Sequence, residues 1–323
     1  MLGVLCNRSS IAECISVLRA LIGPALRQKE EAAVFFTLPQ RGLQDGFVQG
    51  IVTTGTLVRE GRVPIPEVVL NFARVRRRSG AKELRALNGH PATYVVNPTN
   101  RLNQLMVMEI LQSSETTCAL VAPYQTVCRE NAPGYLNGRD SFVVIPESGT
   151  NLNLVVQAGG DGQATERAFD RMPSRLIILE LPEFSTNGNR LVVLRAHLQR
   201  SGDGEWRLLE HARILKKPNA QVVPGALVGE AALSIAGRAG KFIPRLGICF
   251  VDLTFDPDGS PFFLHLGGWD SRFFGSADAL AKASQDMPVD FWDWDLMGDR
   301  RQMYDGFSSN LLGYLALLGR GVA

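Results

Sequence analysis

The chain has 323 residues and a mass of 35.3 kDa, with 45% apolar and 20% charged residues. That composition excludes a disordered or collagen-like polypeptide and leaves room for two or three lobes. The formal net charge is +2, too small a field to make nucleic acid the main partner.

Taken in chain order, Leu2 to Cys6 reads as a short buried strand. Ser10-Ile-Ala-Glu13 resembles a capping box, and apolar residues at helical spacing follow from Ile11 to Ile22. Ala32 to Thr37 and Val68 to Phe72 are two further apolar runs of strand length. The first 90 or so residues therefore predict a small α/β lobe with parallel strands. From Asn97, the run NPTNRLNQLMVMEIL predicts a capped helix, and short strands are expected at 142–145, 152–157 and 176–181. Arg190 to Gln199 and Glu205 to Leu215 alternate around Ser201-Gly-Asp-Gly204, a hairpin pattern. Gly225 to Phe242 predicts an Ala-rich helix. LGICFVDLTF and SPFFLHL then flank Asp256-Pro-Asp-Gly259, which suits a turn, and a helix near Phe307 to Leu318 closes the chain.

Cysteines 6, 14, 118, 128 and 249 are odd in number and never in a Cys-x-x-Cys pair, which argues against a disulfide framework. His90, His197, His211 and His265 form no His-Glu-x-x-His pattern. No leader peptide and no apolar run of membrane-spanning length stands out, so a cytoplasmic protein without membrane contact is expected. Only six of the 34 basic residues are lysine, and the 133 residues from Glu83 to Leu215 contain none.

Three segments in order resemble the YheC/YheD-like (endospore-coat-associated) branch of the ATP-grasp superfamily. PEVVLNFARVRRR (66–78) is similar to its "P-x-V-V-Y-N-R" segment, and NRLNQLMVMEIL…APYQTV (100–127) to its "D-K-W … L-P-E-T" region. LRAHLQRSGDGEWRLLEHARI (194–214) and LGICFVDLTFDPDGSPFFLHLGG (246–268) are similar to "D-x-R-V-x-x-Q … R" and "D-x-x-x-D-x-x-G-x-x-W-L-x-E-x-N". The resemblance implies a mixed α/β and α+β chain: a pre-ATP-grasp α/β lobe over 1–92, then an ATP-grasp unit over 93–323. Within that unit it implies a central lid lobe at about 113–182 and a C-terminal lobe at about 183–323. The implied chemistry is carboxylate activation by ATP and displacement of the acyl phosphate by an amine.

Such chemistry needs cations against the triphosphate, a glycine loop over it, and hard oxygen ligands for Mg²⁺. By the resemblance, Arg195 and Arg213 take the two arginine positions that face phosphate and acyl-phosphate oxygens, Glu180 the adenine-reading position, and Asp252 the first metal ligand. Arg101 lies three residues from Gln104, which stands where a lysine is expected, and Gly149 is the one glycine left in the phosphate loop. Ile145 replaces the second lysine, and His265 and Gly267 fall on "E-x-N". Residue by residue, plain alternatives stay open: strand-surface charges for the arginines, an exposed strand end for Glu180, a helix-start residue for Arg101, a packed histidine for His265. The expectation is an ATP-grasp fold with a degenerate ATP/Mg site and a binding or assembly role, its partner a protein or a small-molecule or peptide carboxylate. The alternatives are a working carboxylate–amine ligase with divergent residues, or a metal-dependent enzyme built on Asp252 and His265.

Overall fold

The computed structural model describes residues 1–7, 15, 32–54, 57–75, 77–136, 141–149, 155–158, 169, 172–180, 186–187, 190–209, 214–216, 222–256, 258–268, 289–292 and 300–321. Apart from Ile15, which is helical, the helix expected over 11–22 falls outside these residues, as do the glycine-containing segment 159–163 and Arg213.

The N-terminal sheet comprises β1 (Leu2–Leu5), β2 (Ala33–Phe36), β3 (Phe47–Thr54), β4 (Leu57–Pro64), β5 (Val68–Asn71) and β6 (Tyr94–Val96). Their order is β4-β3-β2-β1-β5-β6. The four strands β2, β1, β5 and β6 are parallel. Leu2 and Val4 enter one core and Leu5 and Val34 another, so both faces of these strands are covered. That is why they read as unbroken apolar runs. The antiparallel pair β3–β4 extends this sheet beyond the parallel lobe expected from sequence. β4 is mostly exposed and carries Arg59, Glu60 and Arg62, so no apolar run announces it. Helix α1 (Arg78–Asn88) follows β5.

The middle of the chain holds β7 (Leu102–Asn103), α2 (Gln104–Gln112), β8 (Tyr124–Cys128), α3 (Ala132–Leu136), β9 (Ser141–Pro146), β10 (Ser148–Gly149), β11 (Val155–Ala158) and β12 (Arg175–Leu179). Four of these strands form an antiparallel sheet in the order β11-β9-β12-β8. The helix expected from Asn97 starts only at Gln104, where the Asn103 side chain accepts a hydrogen bond from Met106 N–H at 3.0 Å. Asn97 and Asn100 serve a different purpose. The Asn97 amide donates to Ile248 O at 2.6 Å and accepts from Gly247 N–H and Ile248 N–H. Asn100 donates to Asn71 O and Ala73 O. These buried amides stitch the end of β5 to the C-terminal part of the chain.

The C-terminal part contains β13 (Thr186–Asn187), β14 (Arg190–Arg200), β15 (Trp206–Leu208), β16 (Ile214–Lys216), β17 (Val222–Pro224), α4 (Gly225–Phe242), β18 (Ile248–Phe255), β19 (Pro261–Gly267), β20 (Val289–Trp292) and α5 (Arg300–Gly321). The sheet order is β13-β14-β18-β19, with β15 antiparallel and β20 parallel to β14. The hairpin around 201–204 forms, with Gly204 at φ +80° and its N–H donating to Ser201 O. Its second strand is shorter than expected, however, ending at Leu208, and β16 pairs with β17 instead. Val228, Ala232, Ile235, Ala236 and Ala239 line one stripe of α4 and pack with Leu194, Ala196, Leu198 and Val251 in the largest core. Among the described residues, no helix is long and apolar enough to cross a membrane.

Candidate functional site

The side chains of β14 alternate between two environments. Leu194, Ala196 and Leu198 enter the core with α4, so Arg195, His197 and Gln199 lie on the opposite face. The register sets Arg195 beside Asp252 of β18, and Asp252 beside His265 of β19. One row along, His197 lies beside Phe250, and Phe250 beside Gly267. All five side chains are buried. The sheet thus gathers three of the expected site residues, Arg195, Asp252 and His265, into one row.

Within that row the charges are already matched. Arg195 Nε donates to Asp252 Oδ1 at 2.6 Å and Nη2 to Oδ2 at 2.7 Å, a bidentate pair. Burial pushes the Asp252 pKa up, but the Arg195 guanidinium and the neighbouring His265 ring together outweigh it, and the net shift is downward. The His265 ring places Nδ1 3.4 Å from Asp252 Oδ2 without hydrogen-bonding geometry. Neither nitrogen of His265 and neither amide atom of Gln199 has a hydrogen-bond partner among the described residues. No group of three or more His, Cys, Asp or Glu suited to a metal ion occurs among them either.

Phe250 organises the space above the row. The Arg195 guanidinium stacks 4.0 Å from its ring centroid, and the His265 ring lies 5.4 Å away at 33°. A Cβ added to Gly267 would come within 2.1 Å of the Phe250 ring. Glycine at 267 therefore admits the ring, and any side chain there collides with it. Sequence reasoning did not single out Phe250, His197 or Gln199. The signal for Phe250 was present, since residues two apart on a strand share a face, and Phe250 precedes Asp252 by two.

The remaining expected residues sit elsewhere. Gly149 of β10 pairs with Leu102 of β7, and the exposed Arg101 beside it donates from Nη2 to Ser148 Oγ at 3.1 Å. Glu180 follows β12; its N–H donates to Pro123 O, and its Oε1 accepts from the Tyr135 hydroxyl at 3.1 Å. Ile145 is fully buried in the largest core opposite Ile177.

Gln104 is also fully buried. Its Nε2 donates to Leu266 O and its Oε1 accepts from Leu266 N–H, both at 2.9 Å. Among the described residues β19 lies at the edge of its sheet, and this amide bonds to it as a neighbouring strand would. A Gln104→Lys change should cost about 1–3 kcal/mol, because lysine offers no acceptor to the buried Leu266 N–H. Urea unfolding of the variant measures this directly.

No protein-family model and no curated protein matches the sequence. The structure does match solved ones along nearly its whole length. The VanG D-Ala:D-Ser ligase from Enterococcus faecalis superposes with a TM-score of 0.52 at 10% identity, covering 98% of each chain. The D-alanine-D-alanine ligase from Coxiella burnetii gives 0.51 at 12% identity over 99% of this chain and 97% of that one. A D-alanine–D-alanine ligase from Bacillus anthracis complexed with ATP gives 0.50 at 12% identity, again over 99% and 97%. The arrangement of the three larger sheets and these neighbours together show that the chain has the ATP-grasp fold, preceded by an N-terminal α/β lobe.

Proposed function

We propose that this is an ATP-grasp-fold protein of the YheC/YheD-like kind whose nucleotide site is degenerate and whose role is binding or assembly. The observation that carries the proposal is the closed Arg195–Asp252 pair beneath Phe250. Both Asp252 oxygens accept from one buried guanidinium, whose positive charge beside them opposes a second cation on the same carboxylate. The same pairing occupies the arginine that would face phosphate. His265 supplies imidazole where hard oxygen is wanted, and the Phe250 ring fills the place a side chain at 267 would need. Ile145 and Gln104, held in the core and on the edge of β19, bring no positive charge to a triphosphate. As they stand, these residues do not fit Mg·ATP.

We further propose a pre-ATP-grasp lobe over 1–92, a lid lobe at about 113–182 and a C-terminal lobe at about 183–323; β6, just past the first boundary, pairs with the N-terminal sheet. Arg101, Gly149 and Glu180 remain the residues proposed for contact with a nucleotide or another anionic ligand. Arg213 is proposed to join them, and the partner to be a protein or a small-molecule or peptide carboxylate.

An ADP-release assay tests the reading. Purified protein with Mg·ATP and pairs of amino acids, including the D-alanine and D-serine of the structural neighbours, should release no ADP above the protein-free rate. Release that depends on both a carboxylate and an amine would overturn the degenerate reading and establish a ligase.

A further inference from the structure

β4 is the outer strand of the N-terminal sheet, and its backbone edge is unpaired among the described residues. It is eight residues long and mostly exposed, with Leu57 at 70% and Val58 at 45%. Long open edges are templates for another strand. Which of its backbone groups face outward follows from the register. Ile65 N–H donates to Gly46 O at 3.0 Å, in line with the pairs Val63↔Val48, Gly61↔Gly50 and Arg59↔Val52. Alternate residues of an antiparallel ladder bond to the same neighbour. The odd-numbered residues of β4 therefore bond to β3, and Val58, Glu60 and Arg62 turn both N–H and C=O outward. Pro64 turns out only a carbonyl, having no N–H.

From this we propose that two copies of the chain pair edge to edge through β4, antiparallel, about a two-fold axis at Gly61. Such an axis runs perpendicular to the sheet, so paired residues share a face and are an even number apart in sequence. Centring it on Gly61 sets Glu60 opposite the partner's Arg62, and Arg62 opposite the partner's Glu60. These are the outward-bonding positions, so each pair exchanges two backbone hydrogen bonds and opposes unlike charges. Val58 N–H meets the partner's Pro64 carbonyl, the one group proline still offers. The two Gly61 residues face each other at the closer, non-bonded spacing, where neither has a side chain to crowd the axis. Centring on Glu60 instead would keep the same alternation of outward-bonding residues but set two glutamates directly opposite each other, a like-charge pair. Arg62 already lies at this edge, 3.5 Å from Asp45 and 4.6 Å from the centre of the Phe47 ring. The product is a continuous twelve-stranded sheet, twice the six strands of one copy.

Sedimentation velocity of the full chain across micromolar concentrations tests this. The natural protein should approach twice 35.3 kDa. Glu60→Arg or Arg62→Glu alone makes both cross-strand pairs repulsive and should weaken association about tenfold or more. An equimolar mixture of these two variants should form a heterodimer, because each then meets the opposite charge at both positions. Glu60→Pro removes an outward N–H and leaves the β3 ladder intact, so it should give a folded monomer. A natural protein that stays at 35.3 kDa, a dimer indifferent to Glu60→Pro, or a variant mixture that fails to associate would each overturn the proposal.

Discussion

Replacing Arg195 with alanine should lower the stability of the chain by about 3–5 kcal/mol, because Asp252 would keep its burial and lose its counter-charge. The two side chains are 1% and 0% exposed, so water cannot take the place of the guanidinium without reorganisation. The loss should not be read as the net worth of the pair. A chain carrying both Arg195→Met and Asp252→Leu should recover most of it, since two apolar side chains leave no charge to desolvate. Equilibrium urea unfolding of the two variants separates these effects. The pH dependence carries the same signature. With its pKa depressed in the folded state, Asp252 stabilises the chain above its ordinary value of about 3.9, and that contribution fades as pH falls through the lower folded value. Below about pH 4 the natural protein should therefore lose stability more steeply than the double variant.

The second large effect concerns Phe250 and Gly267. Phe250→Ala should cost about 3–5 kcal/mol as a fully buried aromatic side chain is removed. Gly267→Ala should cost about 1–3 kcal/mol for the opposite reason, overpacking, with its methyl group about 2.1 Å from the ring. The two costs should not add. In a Phe250→Ala background the collision at 267 disappears, so the second substitution should be close to neutral, and a double-mutant cycle reads this as strong coupling. Full additivity would mean that the ring does not stand over Gly267. The same cycle bears on the resemblance, since placing asparagine at 267, as that family pattern has it, requires Phe250 to move first.

Much of the fold was legible because it depends on local pattern. Leu2–Leu5, Ala33–Phe36 and Val68–Asn71 are covered on both faces, and their apolar runs fall within a residue or two of the strands. The Ala-rich run from Gly225 to Phe242 is the helix α4 itself. The strand pair β18–β19 closes through Asp256, whose side chain accepts from Ser260 N–H, as the turn residues imply. Elements fixed by distant partners were not legible. Asn97 and Asn100 look like part of a helix start, yet they hold backbone groups of residues 71, 73, 247 and 248, and the helix begins later. The mostly exposed β4 has no run of apolar residues to betray it.

The candidate site shows the same division. Residue types at 145, 195, 252, 265 and 267 could be compared with a family pattern position by position. What Arg195 does could not, because its partner lies 57 residues away on a strand whose register no local signal sets. A basic residue in an alternating strand looks the same whether it faces phosphate or an aspartate. The role of Phe250 was hidden for a related reason: filling the space over a glycine on the neighbouring strand is a property of packing, not of spacing.

Calorimetric titration of the purified chain with Mg·ATP tests the proposed degeneracy of the site most directly. With Asp252 held by Arg195 and no lysine at 104 or 145, binding should be no tighter than about millimolar, roughly −4 kcal/mol. A micromolar dissociation constant, roughly −8 kcal/mol, would contradict the account and require the Arg195–Asp252 pair to open for the nucleotide.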